Sequence, residues 1–288
     1  LGEMNNRGVE FAVNYRGNKG KDFQYGVSLT LSAIKNRLTE ISSGVKNLTS
    51  ANFGFGLTGQ GWGEFSQYLP GGEAGEFYGY QSLGIFQTQA QIDALNAKAP
   101  GGIYYRAATR PGDRYFADID GDGVVNANDR TSLGSPQPKF FGGLNFDGTY
   151  KAWDFNIFFY GSYGNKILNY TESNLQSFQK RGSEGVQNVS LDYFNNRWTS
   201  SNASNTYSRA LHNDDNTLNN VPSSHWVENG SYLRLKNLTI GYTLPSSVSN
   251  RLMLSRARIY ISSQNLFTIT KYSGLDPEIG IQNGNPIF

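Results

Sequence analysis

The sequence predicts an all-β protein in which antiparallel strands form part of a transmembrane barrel, and three observations support this class. Apolar and polar side chains alternate over six segments of about ten residues, which is the periodicity of a strand with two different faces. Glycine (34), tyrosine (18) and phenylalanine (18) are abundant among the 288 residues, whereas hydrophobic residues make up only 38%. Short turns and very long connections also alternate along the chain, as in membrane-spanning β-barrels.

The first two strands form a predicted hairpin. From Val9 to Tyr15 the odd-numbered residues are apolar or aromatic, and most even-numbered residues are polar. The polar turn 17–21 follows, and the same alternation then resumes from Phe23 to Leu31. Two alternating segments joined by a short polar turn are typical of a β-hairpin.

Two further hairpins are predicted in the rest of the chain. Lys151 and Ala152 alone separate the strands of the second hairpin, while the longer turn 244–256 separates those of the third. In all four segments the apolar residues again recur at every second position. The predicted strands are Phe140–Tyr150, Trp153–Tyr163, Tyr232–Thr243 and Ala257–Phe267.

The connections between hairpins are long, covering residues 38–139 and 164–231. Compact soluble domains rarely contain such loops, whereas outer-membrane barrels combine tight turns at one rim with long loops at the other. Alternation alone would also fit a soluble β-sandwich with one wet face. The asymmetry of the connections favours the barrel. Six strands leave two open edges, which hydrocarbon does not tolerate, so the rest of the barrel is expected elsewhere.

Composition and charge argue against several other classes. No apolar run reaches the length of a membrane-spanning helix, and no cysteine is present to form disulfides. The net charge of +2 is too small to indicate a nucleic-acid partner. The two histidines, His212 and His225, have neither metal-ligand nor catalytic-triad spacing. The sequence therefore predicts a protein that is not an enzyme.

A candidate calcium loop begins at Asp118. Oxygen-bearing residues occupy positions 1, 3, 5, 9 and 12 of a twelve-residue segment with glycine at position 6, the pattern of a calcium loop. Ca²⁺ prefers six to eight oxygen ligands, and a loop of this kind brings them together. A metal-free turn rich in Asp and Gly would favour the same residues. The predicted ligands are Asp118, Asp120, Asp122, the carbonyl group of Val124, Asn126 and Asp129.

Candidate substrate-binding residues come from two places. Loop tryptophans offer aromatic faces on which sugar rings or peptide side chains stack, although such residues also form the small cores of long loops. Polar residues on the strands would face a water-filled barrel interior. The candidates are Trp62, Trp198 and Trp226 in the loops, and Asn145, Asp147, Asp154 and Asn156 on the strands.

The loops also contain two predicted helices. Thr88 and Gln91 have the spacing of a capping box before the apolar residues Ile92 and Leu95. A second helix is predicted within Ser190–Trp198.

Several longer motifs occur in the sequence: Gly-Asp-Arg-Tyr-Phe-Ala-Asp-Ile-Asp-Gly-Asp-Gly from Gly112, Asp-Arg-Thr-Ser-Leu-Gly-Ser-Pro-Gln-Pro-Lys-Phe from Asp129, Asn-Gly-Ser-Tyr-Leu-Arg-Leu-Lys-Asn-Leu-Thr-Ile-Gly-Tyr from Asn229, Ser-Gln-Asn-Leu-Phe from Ser263 and Gly-Leu-Asp-Pro-Glu from Gly274. With these motifs the sequence resembles the SusC/RagA-like family of TonB-dependent outer-membrane transporters of Bacteroidetes. The resemblance extends over essentially the whole sequence and falls on the C-terminal part of the family's barrel.

The resemblance implies a barrel of about 22 strands in the bacterial outer membrane. It also implies a plug with a TonB box, through which the TonB complex supplies energy, and a SusD-like surface lipoprotein that closes over the barrel. None of the plug, the TonB box or the early strands lies in this sequence, so the chain is expected to be part of a longer protein. The expected activity is import of a glycan or an oligopeptide, with outer-membrane lipid around the barrel. The alternative is a secreted, calcium-stabilised β-sandwich that binds glycans.

Overall fold

A computed structural model describes residues 2–41, 48–49, 65–176, 188–211, 219–278, 280–282 and 285–287. The strands are β1 (Glu3–Lys19), β2 (Phe23–Glu40), β3 (Leu48–Thr49), β4 (Ser66–Tyr68), β5 (Glu76–Tyr80), β6 (Ser82–Ile85), β7 (Arg114–Phe116), β8 (Arg130–Gly134), β9 (Phe140–Tyr150), β10 (Trp153–Tyr163), β11 (Lys166–Leu168), β12 (Val227–Asn229), β13 (Tyr232–Thr243), β14 (Arg258–Gln264), β15 (Thr268–Thr270), β16 (Gly280–Gln282) and β17 (Asn285–Ile287). The helices are α1 (Gln89–Asn96), α2 (Tyr170–Leu175), α3 (Leu191–Asn196) and α4 (Ser246–Arg251). Within these described ranges, no helix has the length and apolar character needed to cross a membrane.

The main sheet is antiparallel and follows the order β1-β2-β9-β10-β13-β14, with β15 also paired to β13. The three predicted hairpins are therefore confirmed, and they lie side by side in chain order. Two details differ from the prediction. Strands β1 and β2 contain 17 and 18 residues rather than about ten. The last predicted strand, Ala257–Phe267, ends early at Gln264, because Asn265 adopts a positive φ of 50°, and β15 begins only at Thr268.

The register places the apolar residues of all six strands on one face, called the outer face below. Leu29 is paired with Leu144, and Leu144 is paired with Phe159 on the next strand. No second sheet covers this face within the described residues: Phe11 is 54% exposed and Ile240 is 47% exposed. The sandwich alternative requires a covered apolar face, and the part of the chain that the structure describes provides no such cover.

Aromatic side chains border the outer face at both ends. At the end with the short turns, called the turn end, Trp153 lies 4.8 Å from Tyr242 between ring centroids. At the opposite loop end, the rings of Phe140 and Tyr163 stack at 4.9 Å. Trp153 and Tyr163 lie about 33 Å apart along β10, or about 25 Å in height for a strand tilted as in barrels. This height matches the apolar band of an outer-membrane barrel.

The two long connections pack against each other at the loop end and form one loop layer. The backbone N–H of Tyr80 donates to the carbonyl of Pro222 at 2.9 Å, and the N–H of Arg209 donates to the carbonyl of Gly112 at 2.8 Å. The layer has its own small core around the fully buried ring of Phe116. The other buried members of this core are Ala99, Tyr104, Tyr105, Val125 and Val221.

The predicted loop helices are confirmed by their caps. Thr88 caps α1 with both hydrogen bonds of a capping box, because its side chain accepts from the Gln91 backbone and the Gln91 side chain accepts in return. Ser190 caps α3 through a bond from the backbone N–H of Tyr193. The buried Ile92 and Tyr193 then attach these helices to the loop layer.

Candidate functional site

The face opposite the apolar one, called the inner face, carries a hydrogen-bonded row of amides. The Asn237 side chain donates to Asn156 Oδ1 at 2.7 Å, and Asn156 donates to Asn145 Oδ1 at 2.9 Å. Asn145 in turn donates to Asp147 Oδ1 at 3.2 Å. The structure thus brings together three of the predicted polar candidates on β9 and β10 and adds Asn237 from β13. Because each amide also has free donor and acceptor capacity, this row can bind water or a polar solute.

The remaining strand candidate, Asp154, lies nearer the turn end. It forms an ion pair with Arg258 of β14, whose Nε lies 2.9 Å from Asp154 Oδ1. The pair connects β10 to β14 and crosses the intervening strand β13 at Gly241. A Cβ added to Gly241 would lie only 2.3 Å from the guanidinium of Arg258. Glycine at this position is therefore what allows the arginine to cross the strand.

The predicted calcium loop closes around three of its carboxylates. Asp118, Asp120 and Asp129 have oxygen atoms within 4.8 Å of one another. Asp129 is fully buried, and it accepts from the backbone N–H groups of Ile119 and Asn126, both at 2.7 Å. These bonds leave lone pairs available on each carboxylate. Asp122 is not part of this cluster and accepts from Val124 N at 2.9 Å.

Two anchors hold the acidic loop in this shape. Gly123, at position 6, has a φ of +87°, and an added Cβ would lie 2.9 Å from Pro100. Val125 is buried, and its N–H donates to the carbonyl of Tyr104 at 2.6 Å. Among the described residues, no lysine or arginine pairs with the loop's four aspartates within 4 Å. The donor set and the uncompensated charge both suit a hard dication.

The tryptophans differ in their surroundings. Trp226 is only 3% exposed and donates from Nε1 to the carbonyl of Val221 at 3.1 Å, so its ring faces the loop core rather than solvent. Trp198 is half-buried, and its Nε1 donates to Gln87 Oε1 at 3.1 Å. Trp62 and His212 lie outside the described residues.

A buried polar cluster joins the two long connections, and sequence reasoning missed it. Asp113 is fully buried, and its Oδ1 lies 2.7 Å from Arg209 Nε. The side chain of Asn219 also donates to Asp113 Oδ1, at 3.1 Å. The partners are 96 and 106 residues away in sequence, so no local spacing rule connects them.

Arg114 is a buried cation beside this cluster. It is 2% exposed, and its guanidinium donates to the Thr206 carbonyl at 2.8 Å and to Ser82 Oγ at 3.2 Å. Burial lowers its pKa to about 9. Burial also lowers the pKa of His225 well below 6.5, and the nearby positive charge of Arg114 lowers it further.

A second missed cluster attaches the segment after β15 to β13. Arg234, 5% exposed, pairs with Asp276 at 2.6 Å and with Glu278 at 2.5 Å. Lys236 also pairs with Glu278, at 2.6 Å. The two carboxylates belong to the Gly-Leu-Asp-Pro-Glu motif, which the sequence showed without indicating its partner.

The fold and its two faces define a class: a segment of the wall of a membrane-type β-barrel with a polar interior. No protein-family model matches the chain. TonB-dependent receptor P3 of Formosa agariphila is 35% identical over 287 residues, which are 99% of this chain and 26% of that receptor. TonB-dependent receptor SusC of Bacteroides thetaiotaomicron is 24% identical over 280 residues, which are 97% of this chain and 24% of SusC. The solved RagAB peptide transporter has the same fold over 97% of this chain and 27% of its own, with a TM-score of 0.70 and 21% identity.

These findings confirm the resemblance noted in the sequence. The chain is similar over nearly its whole length to TonB-dependent receptors, among them SusC, and it shares its fold with the RagAB transporter. It spans about a quarter of the length of the relatives it matches.

Proposed function

We propose that this chain forms part of the barrel wall of an outer-membrane importer that takes up a glycan or an oligopeptide with energy from the TonB complex. A SusD-like surface lipoprotein is the proposed partner and closes over the loop end. The protein binds and moves its substrate without breaking a bond. Its relatives are named as receptors and transporters, which supports this proposal.

The observation that carries the proposal is the contrast between the two faces of one sheet. The outer face is apolar over a height of about 25 Å between two aromatic borders, as hydrocarbon requires. The inner face carries the amide row of Asn145, Asn156 and Asn237, whose polar groups need water or a polar solute. A single-layered sheet with these two faces suits a wall between lipid and an aqueous channel.

The same geometry suggests how the wall serves import. The inner amides and carboxylates exchange hydrogen bonds with a passing hydroxylated or peptidic substrate. The loop layer at the other end is held together by buried polar contacts such as Asp113–Arg209. A stable layer of this kind provides a surface on which a lipoprotein lid docks without first ordering a long loop.

Uptake by the full-length receptor tests the proposal. Cells carrying the receptor are supplied with fluorescent oligoglycans or oligopeptides, with and without a functional TonB complex. We expect TonB-dependent accumulation of one of the two substrate classes, and we expect the receptor to leave the membrane only in detergent. Extraction into buffer without detergent, or uptake that is independent of TonB, would contradict the proposal.

We also propose that the loop 118–129 binds a structural Ca²⁺. Asp118, Asp120 and Asp129 supply the clustered carboxylates, and Asp122, Asn126 and the carbonyl group of Val124 complete the proposed ligand set. The ion would reduce repulsion between four carboxylates in one loop and would stabilise the ordered form by mass action. The shape of the loop, fixed by Gly123 and Val125, supports this assignment.

Chelation of the full-length receptor tests the ion. We expect a calcium chelator to raise the protease sensitivity of residues 118–129, and added Ca²⁺ to restore protection. Asp118→Asn should behave like the chelated protein, whereas the exposed Asp93→Asn, outside the loop, should not. An identical digestion pattern with and without chelator would contradict the ion.

A further inference from the structure

The outer face contains an apolar groove built on glycines. Gly142 of β9 and Gly161 of β10 are directly paired, and they lie in one row between Leu31 and Leu233. Two adjacent positions in this row therefore have no side chain, and the larger residues around them enclose a cavity of about 830 Å³. The walls of the groove are Leu29, Leu144, Phe159 and Ile269.

The groove is fixed by the backbone. A Cβ at Gly142 would lie 2.2 Å from the carbonyl oxygen of Thr30, and a Cβ at Gly161 would lie 2.9 Å from that of Tyr232. Neither position can accept alanine without a shift of a strand. The groove is thus a consequence of how closely the strands approach one another, and a flexible apolar chain is the kind of group that fills it.

A cavity lined by basic residues adjoins the groove at its loop end. Arg7, Lys35, Lys139 and Lys166 line this second cavity, whose volume is about 820 Å³. The two cavities are contiguous along the strands, because Leu31 of the groove is followed on the same face of β2 by Ala33 of the basic cavity. Lys139 also directly precedes Phe140, which lines the groove. The basic cavity therefore begins where the apolar band ends.

The positive charges of this cavity are only partly offset by the protein. Arg7 and Lys35 are directly paired across β1 and β2, and like charges at such positions destabilise a sheet. None of the four basic residues belongs to an ion pair formed within the described part of the chain. Glu73 and Glu76 also line the cavity.

The two glutamates offset only part of this charge. Glu76 already accepts hydrogen bonds from the backbone of Glu73 at 3.0 Å and from Ser132 at 2.9 Å. Four cations against two carboxylates leave an excess of positive charge, and an anionic group would reduce it.

We propose that the two cavities together bind a phosphorylated glycolipid of the outer leaflet, with its phosphate among Arg7, Lys35, Lys139 and Lys166 and an acyl chain in the glycine groove. This inference rests on the proposed membrane orientation of the barrel. Phosphate suits the site because it forms charge-assisted hydrogen bonds with arginine and lysine. An acyl chain suits the groove because both lie in the apolar band, directly below the aromatic border.

Binding of purified lipid A to the full-length receptor in detergent tests the proposal, by native mass spectrometry and by titration. Each basic residue near an anionic surface contributes roughly fivefold to affinity, so Arg7→Gln/Lys35→Gln should bind lipid A about 25-fold more weakly. Lys19→Gln/Lys21→Gln removes the same charge at the turn end and should bind as the wild type does. Dephosphorylated lipid A should bind the unmodified receptor at least as weakly as lipid A binds the first variant, because it loses the contacts with all four basic residues.

Four results would overturn the proposal. The first is equal lipid A affinity for both double variants. The second is equal affinity of the wild type for lipid A and its dephosphorylated form. The third is a change in oligomeric mass, with unchanged lipid content, in Arg7→Gln/Lys35→Gln, since this would assign the surface to a second copy of the chain. If inorganic phosphate binds as tightly as lipid A, the groove plays no part and the proposal also fails.

The failure of this inference can be separated from failure of the proposed function. If the receptor requires detergent for extraction and imports substrate but shows no phosphate-dependent lipid binding, only the proposed lipid site is contradicted. If the receptor leaves the cell envelope without detergent, both the proposed barrel function and the proposed lipid site are contradicted.

Discussion

At the scale of single residues, the loop layer depends on buried polar groups rather than on a large apolar core. Asp113 illustrates this, because it is fully buried and satisfies Arg209, Asn219 and the backbone N–H of Arg110 at once. Removing one partner of such a cluster leaves buried groups without hydrogen bonds, which costs more than the pair itself contributes. The cluster thus ties residues 109–116 to the second long connection.

Asp113→Asn is expected to loosen this attachment. The substitution keeps the shape but removes the charge that Arg209 pairs with, so we expect a loss of about 2–3 kcal/mol in the stability of the loop layer, since Arg209 is partly exposed. Hydrogen exchange of residues 109–116 and 205–211 in the full receptor measures it. Asp93→Asn, on the exposed side of α1, should change exchange by less than about 0.5 kcal/mol. Equal exchange in both variants would contradict the assigned role.

His225 should make the loop layer sensitive to acid. Its folded pKa lies well below the unfolded value of 6.5 because burial and Arg114 disfavour the charged ring. Below pH 6.5 the unfolded state therefore binds a proton that the folded state does not, and stability falls as the pH falls. The expected loss by pH 5.5 is about 1 kcal/mol. Protease sensitivity at pH 7.5 and 5.5 measures it, and His225→Gln should show a smaller change. The same pH dependence in both proteins would exclude His225 as the cause.

Some of these residues could be predicted from sequence and others could not, for physical reasons. The acidic loop is visible because its oxygen-bearing residues lie within a twelve-residue segment and their spacing encodes the shape. Asp113 and Arg209 are separated by 96 residues, and only the packing of two loops brings them together. Trp226 shows the same limit, because an aromatic loop residue has the same sequence signal whether its ring is buried or exposed.

At the scale of elements, alternation was sufficient to predict the six wall strands, since it gives the sheet one apolar face and one polar face. It underestimated β1 and β2, which continue beyond Val9 and Leu31 to Glu3 and Glu40. Above the apolar band the outer face no longer needs apolar residues, so the periodicity disappears while the backbone pairing continues. Strand length in this region is fixed by hydrogen bonding, which leaves little trace in the pattern of side chains.

The turn between β9 and β10 contains a strained residue that offers a test. Lys151 has a φ of +54°, a conformation that costs a non-glycine residue about 1 kcal/mol. Lys151→Gly removes this cost and should stabilise the barrel by up to about 1 kcal/mol, less the entropy that glycine loses. Ala152→Gly in the same turn relieves no positive-φ strain and should destabilise the barrel by roughly 0.5–1 kcal/mol. The temperature at which the full-length barrel unfolds measures both, and equal shifts would show that the strain is absent.

At the scale of the whole molecule, the chain is organised in layers along the strand direction. The turn end, the apolar band with its aromatic borders, and the loop layer follow one another, and each layer has its own source of stability. The outer side chains of the band are exposed and do not pack on another layer of the described chain. The band is therefore stabilised by the backbone hydrogen bonds between its strands and by the medium around it. The loop layer is stabilised by the core around Phe116 and by the buried polar clusters. The sequence predicted the first two layers but not that two loops separated by the second hairpin would share a core.

The orientation of the wall can be tested with two neighbouring residues near the middle of β2. Leu29 points to the outer face and Ser28 to the inner face, since successive residues of a strand alternate. If the outer face meets hydrocarbon, Leu29→Arg places a charge near the bilayer midplane and should cost about 2–4 kcal/mol, so less folded receptor should reach the outer membrane. Ser28→Arg places the same charge in the aqueous interior and should leave receptor levels nearly unchanged. Quantifying the heat-resistant folded form in isolated outer membranes gives both values. If both variants assembled equally well, or if Ser28→Arg were the more damaging, the outer face would not be the lipid face, and the transport proposal would lose its physical basis.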